Sequence, residues 1–79
     1  IFKLKKYTQS MESYSEAVHI DPDYVRALNG IGVNAINLWF ITGKNDNNLK
    51  ERASRAFRRS LRIKSDQPKV LKLVLTYQL

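Results

Sequence analysis

The sequence contains no cysteine, which excludes a disulfide staple and any thiolate metal site. Its one histidine, His19, cannot make a zinc site alone. Acidic residues are few: 7 Asp and Glu stand against 14 Lys and Arg, a net charge of +7. That excess suits an acidic partner, an anionic membrane surface or nucleic acid. Long apolar runs are missing as well. The richest, Ile31 to Ile41, carries Asn34 and Asn37 and falls short of the roughly 18 residues that a membrane span needs. No signal-peptide pattern is present. Zero cysteines fit a reducing compartment.

With 79 residues there is room for one small domain, which buries only about 60% of the surface its unfolded chain exposes. Lacking disulfides and metal, such a chain needs unusually good packing or a neighbour that holds it. Ile1 and the apolar stretch Leu75 to Leu79 are unlike the polar, loose ends of ordinary domains. They predict a segment of a larger array.

The interior reads as helices. From Phe2 to Ile20, Leu4, Tyr7, Met11, Tyr14, Ala17 and Val18 recur at helical spacing. Asp21-Pro22-Asp23 breaks this helix, and either aspartate is placed to cap the next one. A second helix is predicted from Asp23 to Phe40, with Tyr24, Ala27, Leu28, Ile31, Ala35 and Leu38 on its apolar stripe. Gly30 and Gly32 sit inside it, each costing about 1 kcal/mol relative to alanine, so a close backbone approach is expected there. The polar run Gly43 to Asn48 predicts a long, mobile connection. A third helix follows over Leu49 to Lys64, then the breaker Ser65-Asp66-Gln67-Pro68. A short fourth helix, Lys69 to Tyr77, is apolar on nearly every side and so predicts burial on several sides.

Small and aromatic residues recur in a pattern. Ser10, Tyr14, Ala17 and Pro22 are followed by Leu28, Ile31, Gly32 and Ala35, and Ala53, Phe57 and Ser60 repeat the small-aromatic-small spacing. This resembles the tetratricopeptide repeat, a helix pair of about 34 residues. The resemblance departs where Leu28 and Ala35 replace the usual Trp and Tyr, and where Pro68 comes three residues late. Ser10 and Ala53 are 43 positions apart, so the surplus predicts an inserted loop near residues 39–48. The resemblance implies an all-α fold of tetratricopeptide-repeat helix hairpins, a piece of α-solenoid with a C-terminal capping helix. Residues 2–22 would be the second helix of one repeat, 23–67 a repeat with the insertion, and 68–79 the cap. Tyr14 and Phe57 would fill the seams between successive pairs.

A finer resemblance runs along most of the chain. Arg26-Ala27-Leu28, Gly30, the polar run Lys44 to Lys50, the helix Ala53 to Ile63 and the end Lys69 to Leu79 look like the C-terminal part of the subunit 2 family of the ER membrane protein complex. That resemblance implies a peripheral scaffold on the cytoplasmic face of the endoplasmic reticulum, within a complex that inserts transmembrane segments. Its partners would be other protein subunits. Val25-Arg26-Ala27, Gly32-Val33 and Ile36-Asn37-Leu38 are similar instead to the last repeat of the peroxisomal targeting-signal receptor, though that repeat lacks the insertion. No cofactor and no metal is expected from either, and nucleic acid rests on charge alone.

Several residues admit two readings. Arg52, Arg55, Arg59 and Arg62, with Arg58 beside them, make a basic stripe that is either a docking strip or a solvated helix face. Glu16, Asp21 and Asp23 lack a histidine or serine at catalytic spacing, so turn and cap roles suit them better. His19 is placed to bond the helix end. Asn34 and Asn37, like Asn29, either face a concave groove and hold a peptide backbone or are merely solvated. Trp39-Phe40-Ile41 must pack on the last helix or on a partner, where aromatic anchors often dominate binding.

Overall fold

The computed structural model describes residues 2–79, for Phe2 its backbone alone, so Ile1 lies outside the described residues. Four helices account for the described fold: α1 (Phe2–Ile20), α2 (Val25–Ile41), α3 (Asn47–Ile63) and α4 (Pro68–Thr76). There is no strand among the described residues.

Their ends follow local chemistry. After α1, the Asp21 carboxylate accepts from the Asp23 N–H at 3.1 Å, closing a turn around Pro22. The aspartates therefore shape the turn instead of capping α2, whose N-cap is Tyr24 with no side-chain bond. Helix α2 closes in a Schellman motif. The Lys44 N–H reaches the Trp39 carbonyl at 2.8 Å and the Gly43 N–H reaches that of Phe40 at 3.2 Å. Gly43 takes φ +81°, a left-handed backbone that glycine adopts without penalty. Asp46 then caps α3 by accepting from the Asn48 N–H at 3.0 Å. This cap starts the helix two residues ahead of the predicted Leu49. The expected enlarged loop over 39–48 is therefore a five-residue connection, 42–46, because the surplus is wound into the two flanking helices of 17 residues each. Pro68 opens α4 at its first turn, where its missing N–H costs nothing.

Contacts fix the layout. Gly30 of α2 faces Tyr14 of α1 across the first hairpin. Asn29 pairs with Ser60, Gly32 with Phe57, and Trp39 with Lys50, so α2 and α3 run antiparallel. Arg52 reaches Ser15 and Arg59 reaches Pro22, so α1 and α3 run parallel. Asn29 bonds Gln67 and Trp39 touches Tyr77, so α2 and α4 run parallel as well. Such alternation of antiparallel pairs with parallel next-neighbours is a helix-hairpin array.

Helix α2 is central and buries Ala27, Leu28, Ile31, Ala35 and Leu38 against its neighbours. Phe57, fully buried from α3, anchors the core with Met11, Ile36 and Val70. The radius of gyration, 11.9 Å, matches the roughly 12 Å of a close-packed chain this long, so the helices stack instead of stringing out. Helix α4 departs from its expected burial on several sides. Only Val70 is fully buried, while Leu71 is 47% and Leu75 71% exposed, because no described residue packs on its outer flank.

Candidate protein-interaction surfaces

Of the small-aromatic pattern, Leu28, Ile31, Gly32, Ala53, Phe57 and Ser60 are buried, while Ser10 and Ala17 are half-buried and Pro22 is exposed. A Cβ on Gly32 would lie 2.5 Å from the Phe57 ring, and one on Gly30 2.5 Å from the Tyr14 ring. Each glycine is thus a seat for one aromatic. The seats differ: Phe57 is sealed at 0% exposure, whereas Tyr14 has one ring face on Gly30 and remains 37% exposed. The expectation that Tyr14 is buried in a seam is corrected to half of that, since no described helix covers its other face.

Ser60 has a role that its smallness alone did not suggest. Its hydroxyl donates to Asn29 Oδ1 at 2.6 Å and accepts from Gln67 Nε2 at 2.9 Å, and Asn29 Nδ2 donates to Gln67 Oε1 at 2.7 Å. This closed triangle pins α2, α3 and the start of α4 together. Asn29 is thereby consumed inside the fold. Asn34 is likewise withdrawn: it is 8% exposed and donates to the Gly30 carbonyl at 2.8 Å, so the reading of Asn34 as a partner contact is overturned. Asn37 is half-buried.

Trp39 packs within the chain. Its ring meets Phe40 at 5.3 Å and Tyr77 at 6.3 Å, and Phe40 meets Tyr77 at 5.5 Å, all edge-to-face. Lys44 Nζ lies 4.9 Å from the Phe40 centroid and Lys50 Nζ 5.5 Å from that of Trp39, both in cation–π range. Burial of the indole takes its N–H out of water without giving it an acceptor in the described structure. Phe40, 41% exposed, stays available at the surface beside Ile41. Next to this cluster α4 presents an open cleft of about 430 Å³ lined by Lys69, Lys72, Leu73, Thr76 and Tyr77. The cleft runs along α4, and Tyr77 at its C-terminal end brings it to Phe40.

The arginine stripe divides. Arg52 Nη2 donates to Ser15 Oγ at 2.7 Å, and Arg59 Nε donates to the Pro22 carbonyl at 2.9 Å with Asp23 3.6 Å away. These two tie α3 to α1 and its turn, so the stripe is neither a free docking strip nor a purely solvated face. Arg55 pairs with Glu51 one turn back, an exposed contact of small energetic worth. Arg58 donates through Nε and Nη2 to the Leu79 main-chain oxygen at 2.8 and 2.6 Å. Arg62 makes no hydrogen bond or ion pair among the described residues. Arg58 and Arg62 border an open groove of about 550 Å³ whose floor is Leu61 and Val74.

Among the described residues no cluster of three His, Asp or Glu side chains is arranged to hold a metal, and no helix is long and apolar enough to cross a membrane. His19 is exposed on the last turn of α1.

Residues 1–33, α1 with the first half of α2, match the family model described as TPR repeat. No curated protein and no solved structure matches the chain. The fold is that of tetratricopeptide-repeat helix hairpins, and the match supports a tetratricopeptide-repeat protein. Proteins of this kind serve protein–protein interaction, and the chain is read as such a scaffold.

Proposed function

We propose that the chain is a non-catalytic scaffold segment within a cytosolic-side subunit of the ER membrane protein complex, contributing to the insertion of transmembrane segments. The observation that supports a scaffold is the junction of α2 and α4, where Phe40 packs on Tyr77 beneath Lys44 and Tyr77 in turn lines an open cleft with Lys69 and Lys72. An aromatic anchor ringed by cations suits a protein surface better than a small-molecule substrate. The finer reading rests on the order Arg26-Ala27-Leu28, Gly30, polar connection, basic helix and final amphipathic helix. The site would lie on the cytoplasmic face of the endoplasmic reticulum, peripheral to the membrane.

Affinity purification of the tagged protein, followed by mass spectrometry, tests this. Recovery of integral membrane subunits of the endoplasmic reticulum is expected, reduced by Phe40→Ala. Recovery of peroxisomal targeting peptides, bound through Asn37, would replace it with the receptor reading. Release of RNA with a steep salt dependence would overturn both.

A further inference from the structure

We propose that Asn29 and Gly30 form a self-modifying site that is silent in the folded chain. When α2 unwinds, the asparagine converts to aspartate, and the chain carries a permanent mark of having opened. The site is independent of the scaffold reading and of whichever partner the scaffold takes.

Chemistry singles out this pair. Of the six asparagines, only Asn29 precedes a glycine. With no Cβ to crowd it, the Gly30 nitrogen approaches the preceding carboxamide more freely than the nitrogens after Asn34 or Asn37. That nitrogen bonds to Asn29 Cγ and gives up its proton. The carboxamide C–N bond breaks, and ammonia leaves with the proton. Water then opens the cyclic imide at either carbonyl, returning aspartate or its isomer with the main chain routed through the side chain. Water is the sole co-reactant and ammonia the sole by-product.

The fold withholds both reacting groups. Inside α2 the Gly30 N–H is committed to the carbonyl four residues back, and the helical backbone keeps it from the Asn29 side chain. The carboxamide is held at both ends. Its Oδ1 accepts from Ser60 Oγ at 2.6 Å, and its Nδ2 donates to Gln67 Oε1 at 2.7 Å. Reaction therefore waits for α2, the central helix, to open.

The product does not fit where the asparagine was. Gln67 cannot turn to meet a carboxylate, because its Nε2 already donates to Ser60 Oγ at 2.9 Å and to the Lys64 carbonyl at 2.7 Å. Its Oε1 would then face an oxygen in place of Nδ2, two acceptors with no proton between them. The isomer adds a main-chain carbon inside a helix. Either way the joint of α2, α3 and α4 is rebuilt poorly, so the mark is also a handicap to refolding.

The 79-residue chain is incubated in buffer and in urea, with conversion followed by mass spectrometry of the tryptic peptide Ala27 to Lys44. In urea Asn29 should convert well ahead of Asn34 and Asn37, and in buffer about a hundredfold more slowly. Phe57→Ala, at a ring that is no hydrogen-bond partner of Asn29, should lose most of that protection. Gly30→Ala should slow conversion in urea about tenfold, because its methyl crowds the attacking nitrogen. Asn29→Asp, standing for the product, should lower the folding equilibrium constant about tenfold. The inference is overturned if Asn29 converts equally fast in buffer and urea, or if Asn34 or Asn37 keeps pace with it in urea. It is also overturned if Gly30→Ala changes nothing, if Phe57→Ala stays protected, or if Asn29→Asp folds as well as the parent. None of these outcomes bears on the scaffold reading, which the recovery of membrane partners decides.

Discussion

Gly30 and Gly32 sit two positions apart on one helix yet make different demands. A methyl at either position meets an aromatic ring at 2.5 Å. Phe57 is locked by the core around it, whereas Tyr14 has solvent on one side into which it can swing. Gly32→Ala should therefore be overpacked by about 1–3 kcal/mol, offset by roughly 1 kcal/mol of helix propensity. Gly30→Ala should be close to neutral or stabilising for the same reason. Urea unfolding of the two variants checks the order, and a less stable Gly30 variant would contradict it. The ring truncations separate likewise. Phe57→Ala removes a fully buried ring and is expected to cost about 3–5 kcal/mol, while Tyr14→Ala should cost about half of that. Ring sizes and spacings were legible in the sequence. Which ring is sealed was not, because that depends on how many helices cover it.

At the scale of elements, the helices were readable from apolar spacing and their joints were not. The run Gly43 to Asn48 has the composition of a long loop. It resolves into a glycine C-cap, a short link and an aspartate N-cap, each satisfying helix-end groups that a loop would leave to water. Gly43→Ala should cost about 1–2 kcal/mol, since its φ of +81° opposes any side chain. The arginines misled for a related reason: a stripe on one helix says nothing of what lies across from it, and Arg52 and Arg59 found partners in α1 and its turn. The Asn29–Ser60–Gln67 triangle was hidden because 38 positions separate its outer members. Ser60 has no exposure, so losing its partners strands a buried hydroxyl. Asn29→Ala should destabilise by about 1–3 kcal/mol. A double-mutant cycle with Gln67→Ala should return a coupling of about 0.5–3 kcal/mol, and additivity would mean that the triangle does not act as a unit.

For the whole molecule the decisive fact is unequal attachment. Helices α1, α2 and α3 share a core through Met11, Ile31, Ala35 and Phe57. Helix α4 and the residues after it hold on by Val70 and Leu79, by the partly buried Leu73 and Val74, by Tyr77 against Trp39 and Phe40, and by the polar triangle at the helix start. Its outer flank of Leu71 and Leu75 meets water. Within α4 itself only Val70 is fully buried, against eight residues of α2 and four of α3, so α4 should detach before the three-helix core unfolds. Native-state hydrogen exchange should show α4 amides opening at lower free energy than those of α2, with α2 closest to the global value. Exchange of α4 only through global unfolding would make the array one cooperative block. A helix that opens easily also gains most when covered, because a ligand that binds only the closed form stabilises it by mass action. A partner that covers the Leu71 and Leu75 flank should thus slow exchange in α4 far more than in α1. Uniform protection across all four helices would place that partner away from this flank.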